Sequence, residues 1–158
     1  MVVSINYVKS TNLLIAILLL GGCVNNNKKM TNLEIVKSTY EGKDSEENGE
    51  NIQKYLASNA TWTEAKGFPY AGTYIGFEEI AENVFARLAS EWIDYKFTPE
   101  DYVANDNKVI AYGTYTGAYK KTKKSFTARV VHLWKLKDGK IISFEQFVDS
   151  KPVINAMK

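Results

Sequence analysis

The chain holds one histidine, His132, and its neighbours make it unusual. Residues Phe126, Ala128, Val130, His132, Trp134 and Leu136 fall at every second position of one segment, and only the histidine among them is ionisable. A β-strand sends alternate side chains to one face, so the imidazole shares an apolar face with Val130 and Trp134. Asp138-Gly139 follows, a pair that favours a two-residue hairpin turn. The return segment would place Ile142, Phe144, Gln146 and Val148 on one face. A titratable ring in such surroundings is either the polar point of an apolar pocket, able to hold or pass a proton, or a core histidine bonded to a carbonyl or hydroxyl.

Other chemistries find little support. One histidine and one cysteine, Cys23, make no zinc set, so no metal is expected. Neither a G-x-G-x-x-G run nor a phosphate-binding loop is present, and no nucleotide or other cofactor is implied. No serine or cysteine stands with a base at a recognisable spacing. Charge is nearly balanced, with 20 Lys+Arg against 18 Asp+Glu, which leaves no footprint for nucleic acid. The one basic cluster, Lys120, Lys121, Lys123 and Lys124, sits between two strands and reads as a solvated hairpin tip.

The N-terminus reads as separate from the fold. Lys9 precedes the apolar run Leu13 to Leu20, far shorter than the ~20 residues that span a bilayer and suited to a signal-peptide core. Leu20-Gly21-Gly22-Cys23 resembles the lipobox of bacterial lipoproteins, in which the cysteine is acylated and becomes the new N-terminus. The expected organisation is a signal peptide over 1–22, a polar tether over 23–32 and one domain over 33–158. That implies attachment to a membrane through Cys23, on the outer side of a bacterial cytoplasmic membrane or within the envelope. A start at Met30, giving an unanchored domain, is the alternative.

The remaining chain is long enough for one real core. Thr31-Asn32-Leu33-Glu34 has the form of a capping box, and Met30 with Ile35 could close a hydrophobic staple. Helices are expected from there, over a segment inward at Ile52, Tyr55 and Leu56, and from about Phe77 to Ser90. Strands are expected over 59–65, 93–104, 108–119, 125–137 and 140–148, with Pro99 marking a bulge or an edge. Asp149 can cap a short C-terminal helix. The order α-α-β-α-β-β-β-β argues an α+β domain whose helices cover one face of a curved antiparallel sheet.

Three local signatures fit that order. They are Ala60-Thr61-Trp62, Gly72-Thr73-Tyr74-Ile75-Gly76-Phe77-Glu78-Glu79-Ile80, and His132-Leu133-Trp134-Lys135-Leu136-Lys137-Asp138-Gly139-Lys140-Ile141. Together they resemble the NTF2-like superfamily, which includes SnoaL-like cyclases and ketosteroid isomerases. The resemblance implies a conical sheet closed by helices around an apolar cavity. Ketosteroid isomerases use a tyrosine on the first helix, a carboxylate base on the first strand and a protonated Asp on the penultimate strand. Tyr40 falls on the first helix here, Glu64 on the first strand, and His132 where that Asp would be. The resemblance thus implies a candidate catalytic set of Tyr40, Glu64 and His132, with an imidazole replacing the second acid.

A carboxylate in an apolar pocket becomes a stronger base. A phenol and a neutral imidazole can donate to an oxyanion forming on a carbonyl. Trp62, Trp134, Phe126, Phe144 and Val148 would hold a small hydrophobic molecule and Gln146 would orient it. The expected function is cofactor-independent proton transfer, as in an isomerase, a cyclase or a hydrolase-type enzyme. The alternatives are a lipid-anchored protein that binds a hydrophobic ligand without chemistry, and one that binds a protein partner. The resemblance also implies a homodimer formed through the outer sheet face, where Val131 and Leu133 are apolar.

Overall fold

A computed structural model describes residues 29–158. The expected signal peptide, Cys23 and most of the tether lie outside these residues. Helix α1 (Asn32–Ser38) starts at a complete capping box: Thr31 accepts from the Glu34 backbone N–H, and the Glu34 carboxylate accepts from the Thr31 N–H. Helix α2 (Ser45–Tyr55) is capped by Asp44. The strands β1 (Leu56–Glu64) and β2 (Gly72–Ile75) follow. Helix α3 (Gly76–Ile80), a π-helical turn (Ala81–Phe85) and α4 (Ala86–Glu91) run on without a break. Four long strands then complete the sheet: β3 (Trp92–Asn105), β4 (Lys108–Tyr119), β5 (Ser125–Lys137) and β6 (Lys140–Val148). The short helix α5 (Ser150–Ala156) ends the chain, with Asp149 accepting from the Lys151 N–H.

The sheet has six strands in the order β2-β1-β6-β5-β4-β3 and is curved and unclosed. The α+β class and the strands 108–119, 125–137 and 140–148 agree with the sequence expectation. Two details differ. The strand β2 has no counterpart among the expected elements, because four residues that pair only with β1 carry no usable alternation. The sheet is mixed rather than antiparallel, since β1 joins β6 in parallel.

Local irregularities generate the curvature. Asp138 and Gly139 take positive φ values of 52° and 78°, the geometry of a two-residue hairpin whose twist matches its strands. In β3 the register shifts twice, between Ile93 and Lys96 and between Pro99 and Asp101. Pro99 therefore sits both on the edge strand and at a bulge. Across from it, a Cβ on Gly113 would run into the Thr98 carbonyl oxygen, so only glycine lets β3 come this close. A further bulge in β6 turns Ile141 inward and leaves Ile142 exposed, reversing the expected side for Ile142.

Two apolar clusters fill the concave side. One gathers Ile35, Val36, Trp62, Ile80, Val84, Trp134 and Phe144 between the helices and the middle of the sheet. The other gathers Phe68, Tyr70, Trp92, Tyr119, Phe126, Val153 and Ala156, where α5 packs on β5. Among the described residues no helix is long and apolar enough to cross a membrane.

Candidate functional site

Alternation along β5 brings His132 and Trp134 to the concave face, and antiparallel pairing sets Gln146 opposite the histidine and Phe144 opposite the tryptophan. On the other side of β5, His132 pairs with Ala111 of β4, whose methyl leaves the ring room. The imidazole is held at both nitrogens. Tyr40, just past α1, places its hydroxyl 2.6 Å from Nδ1, and Tyr115 of β4 places its hydroxyl 2.6 Å from Nε2. Each phenol oxygen accepts a further hydrogen bond: Trp134 Nε1 donates to Tyr40 at 2.8 Å, and Gln146 Nε2 donates to Tyr115 at 3.2 Å. The Gln146 amide is oriented in turn by the Ala65 N–H, which donates to its Oε1. Phe97 and Phe144 cover the ring, with centroids 4.5 and 4.9 Å away.

Burial drives the imidazole pKa down to about 3, so the ring is neutral at neutral pH. The same burial raises Tyr40 and Tyr115 well above the ordinary phenol value, with Tyr115 adding to the rise at Tyr40 and Glu64 to that at Tyr115. All three groups therefore act as neutral donors and acceptors.

Glu64 ends β1, two residues after Trp62 and on the same face. It is 4% exposed. Trp62 Nε1 donates to Oε1 at 2.7 Å, while Oε2 is buried with no hydrogen-bond partner among the described residues. Trp62 itself stacks on Phe144 at 3.8 Å between centroids. Burial raises the Glu64 pKa to about 7, against the lowering pull of the Trp62 hydrogen bond. A carboxyl group near half-ionisation at neutral pH can both take and return a proton.

These residues line one cavity of about 250 Å³ under α2, the π-helical turn and β3. Its walls include Trp62, Phe85, Phe97, Trp134 and Phe144, and among the described residues no lysine or arginine lines it. The volume equals about eight waters at the ~30 Å³ that each occupies in the liquid, enough for a small organic molecule. A wider vestibule of about 550 Å³ adjoins it and shares Asn48, Ile52, Phe85, Leu88 and Tyr95. The π-helical turn brings Val84 and Phe85 to the wall together, a common use of such a bulge.

The structure thus brings together Tyr40, Glu64, His132, Trp62, Trp134, Phe144 and Gln146. It does not bring Phe126 or Val148 to that wall. Phe126 packs at 5.0 Å from Trp92, in the second cluster, because β5 runs on past the cavity. Val148 lies beyond Gln146 at the same end and packs against that second cluster. Five lining aromatics stand outside the site residues expected from the sequence: Phe68, Phe85, Tyr95, Phe97 and Tyr115. The inner-face run Val109, Ala111, Gly113, Tyr115 offered a signal, since small residues flank one large polar ring. Tyr95-Lys96-Phe97-Thr98 offered the same alternation, but the bulge that precedes it sets which face the two aromatics take. The Tyr95 hydroxyl is also buried, close to Tyr115.

Comparison with known proteins agrees with this architecture. Residues 39–144 match the SnoaL-like domain family. Among solved structures, an NTF2-like protein from Burkholderia thailandensis is 40% identical, with a TM-score of 0.77, covering 82% of this chain and 98% of that one. TerC, co-crystallised with polyporic acid, is 20% identical with a TM-score of 0.69, covering 79% and 96%. A protein of ketosteroid isomerase-like fold from Catenulispora acidiphila, in complex with trimethylamine, is 18% identical with a TM-score of 0.65, covering 80% and 93%. No curated protein matches the chain. With that family model over residues 39–144 and a 40% identical neighbour covered almost end to end, the chain belongs to the SnoaL-like domain family of the NTF2-like superfamily.

Proposed function

We propose that the chain is a cofactor-independent enzyme that moves a proton on a small, neutral, hydrophobic carbonyl compound. One observation carries this reading: Glu64 lines an apolar cavity as a buried carboxyl group, its Oε2 has no hydrogen-bond partner among the described residues, and no lysine or arginine among them lines that cavity. Ionised, Glu64 takes a proton from a carbon next to the carbonyl, and the electron pair moves onto the carbonyl oxygen. A phenol hydroxyl from Tyr40 or Tyr115 donates to that oxyanion. Glu64 then returns its proton to another carbon, completing an isomerisation. In a cyclisation the enolate carbon instead attacks a second carbonyl, and the proton passes to the new alkoxide.

The test is exchange in D2O. Small cyclic enones and 1,3-diketones incubated with the protein should gain mass faster than without it. Glu64→Gln should slow that gain by about 100-fold or more, the scale of one general base. Compounds that bind and return with unchanged mass and unchanged NMR spectrum in the parent protein would sink the enzymatic reading. They would support its alternative, a binding protein without chemistry. That second reading rests on the aromatic walls around one carboxylate, which also suit a small alkylammonium ion; the neighbour from Catenulispora acidiphila holds trimethylamine.

We further infer that the domain is tethered to a bacterial membrane through acylated Cys23. The support is the apolar run ending in Leu20-Gly21-Gly22-Cys23. Cells fed a labelled fatty acid should mark the parent chain and leave Cys23→Ser unmarked. An unmarked parent chain would remove the anchor.

A further inference from the structure

The chain of side chains through His132 holds more protons than its internal hydrogen bonds can use. Trp134 N–H and the Gln146 amide each donate to a phenol oxygen, and the Ala65 N–H fixes which end of the amide does so. Those bonds have one possible direction. The two bonds between the phenols and the imidazole do not. A neutral imidazole has one N–H and one bare nitrogen. At the bare nitrogen a tyrosine must donate; at the N–H the other tyrosine must accept. Two phenol protons and one imidazole proton therefore serve two bonds, and one phenol proton is always left over.

We propose that His132 is a tautomeric selector, taking the proton of one flanking tyrosine and leaving the other, Tyr40 or Tyr115, to present its own to the cavity. With the proton on Nε2, Tyr40 donates to Nδ1, and Tyr115 accepts from both His132 and Gln146 with its O–H free. With the proton on Nδ1 the roles reverse, and Tyr40, accepting from His132 and Trp134, holds the free O–H. Both phenols line the cavity. A bound acceptor oxygen can thus be met at either of two positions by the same neutral donor type. The ring shifts its proton rather than gaining one, so no buried charge is made. His132 is on this account a positioning residue. The inference stands on the hydrogen-bond geometry and does not require that the protein be an enzyme.

One histidine in the chain makes the test direct, since a protein carrying 15N in its histidine ring reports a single imidazole. The parent protein should show a neutral ring at pH 7 with both tautomers in exchange. Tyr40→Phe removes the Nδ1 partner, and a buried N–H without an acceptor is the costlier orphan, so the proton should settle on Nε2. Tyr115→Phe should settle it on Nδ1. Each tautomer ratio should move roughly tenfold or more, in opposite directions, because an unpaired buried donor costs that much. A doubly protonated ring in the parent, or the same tautomer in all three proteins, overturns the proposal. Should either phenylalanine variant fail to fold, the parent spectrum decides: two exchanging neutral forms support it, and one form unchanged with temperature overturns it.

Discussion

Two tryptophan–acid chains lie on the concave side of this sheet, and they end differently. In the second cluster Trp92 Nε1 donates to the Tyr70 hydroxyl at 2.7 Å, Tyr70 donates to Glu91 at 3.0 Å, and Glu91 takes the Arg87 Nε at 2.9 Å. The Arg87 guanidinium also lies 4.2 Å from the Tyr70 ring centroid. That chain leads out to a partly exposed ion pair, and its acid has a counter-charge. In the cavity Trp62 donates to Glu64, and the chain stops there, with one oxygen unpaired and no lysine or arginine on the walls among the described residues. The first arrangement closes the end of the sheet. The second leaves a buried polar atom unsatisfied beside a cavity, an exception that calls for an explanation and that the proposed function supplies.

The comparison can be tested by breaking each chain in turn. Removing the ring that supports Trp92, with Phe126→Ala, should cost about 3–5 kcal/mol of stability in urea unfolding, the usual scale for a buried Phe. Because Phe126 lies outside the cavity wall, the Glu64 pKa should stay near 7 in that variant. A Glu64 shift of a full unit would show the two regions to be one.

The cavity chain should reveal itself through pH. Folded Glu64 keeps its proton to about 7 while the unfolded side chain releases it near 4.5. The folded state therefore binds more protons in that window, and stability falls as pH rises through it, by about 3 kcal/mol in all. His132 acts in the opposite sense. Its unfolded ring takes up a proton below 6.5, whereas the folded ring stays neutral down to about 3. Its contribution is complete above pH 6.5 and is lost as pH falls. Between pH 4.5 and 6.5 the two slopes oppose, and the parent protein should be nearly flat. Glu64→Gln should leave a stability that rises with pH, and His132→Asn one that falls, each by up to ~1.4 kcal/mol per pH unit. Denaturation midpoints at several pH values supply the check, and two flat variant profiles would refute the pairing.

The smallest effect belongs to the surface end of the other chain. Arg87→Ala removes a partly exposed i,i+4 pair and should cost under about 1 kcal/mol. A larger loss would mean that Glu91 depends on its cation more than the geometry implies.

Much of this was legible in the residues. The capping box at Thr31, the hairpin at Asp138-Gly139 and the three strands after Lys108 follow from local rules, because each depends on residues close in sequence. The histidine's apolar face was legible too, since a regular strand has a strict period of two. Tyr40 and Glu64 came from likeness to a family, and no spacing rule would join residues 92 and 68 positions from His132. Phe126 was misplaced because alternation says which face a residue takes but not how far along the strand a cavity extends. Ile142, Tyr95 and Phe97 were beyond reach because bulges in β6 and β3 reset the period.

The sequence by itself determined an α+β domain with a polar residue on the inner face of its central hairpin. Local propensity and alternation act over a few residues and need nothing else. Only the tertiary structure decided that His132 lies between two tyrosines, that Gln146 faces it, and that Glu64 is buried with an oxygen unpaired. Those facts depend on sheet curvature and on desolvation, which arise when distant strands and helices close over one another and exist in no single stretch of chain.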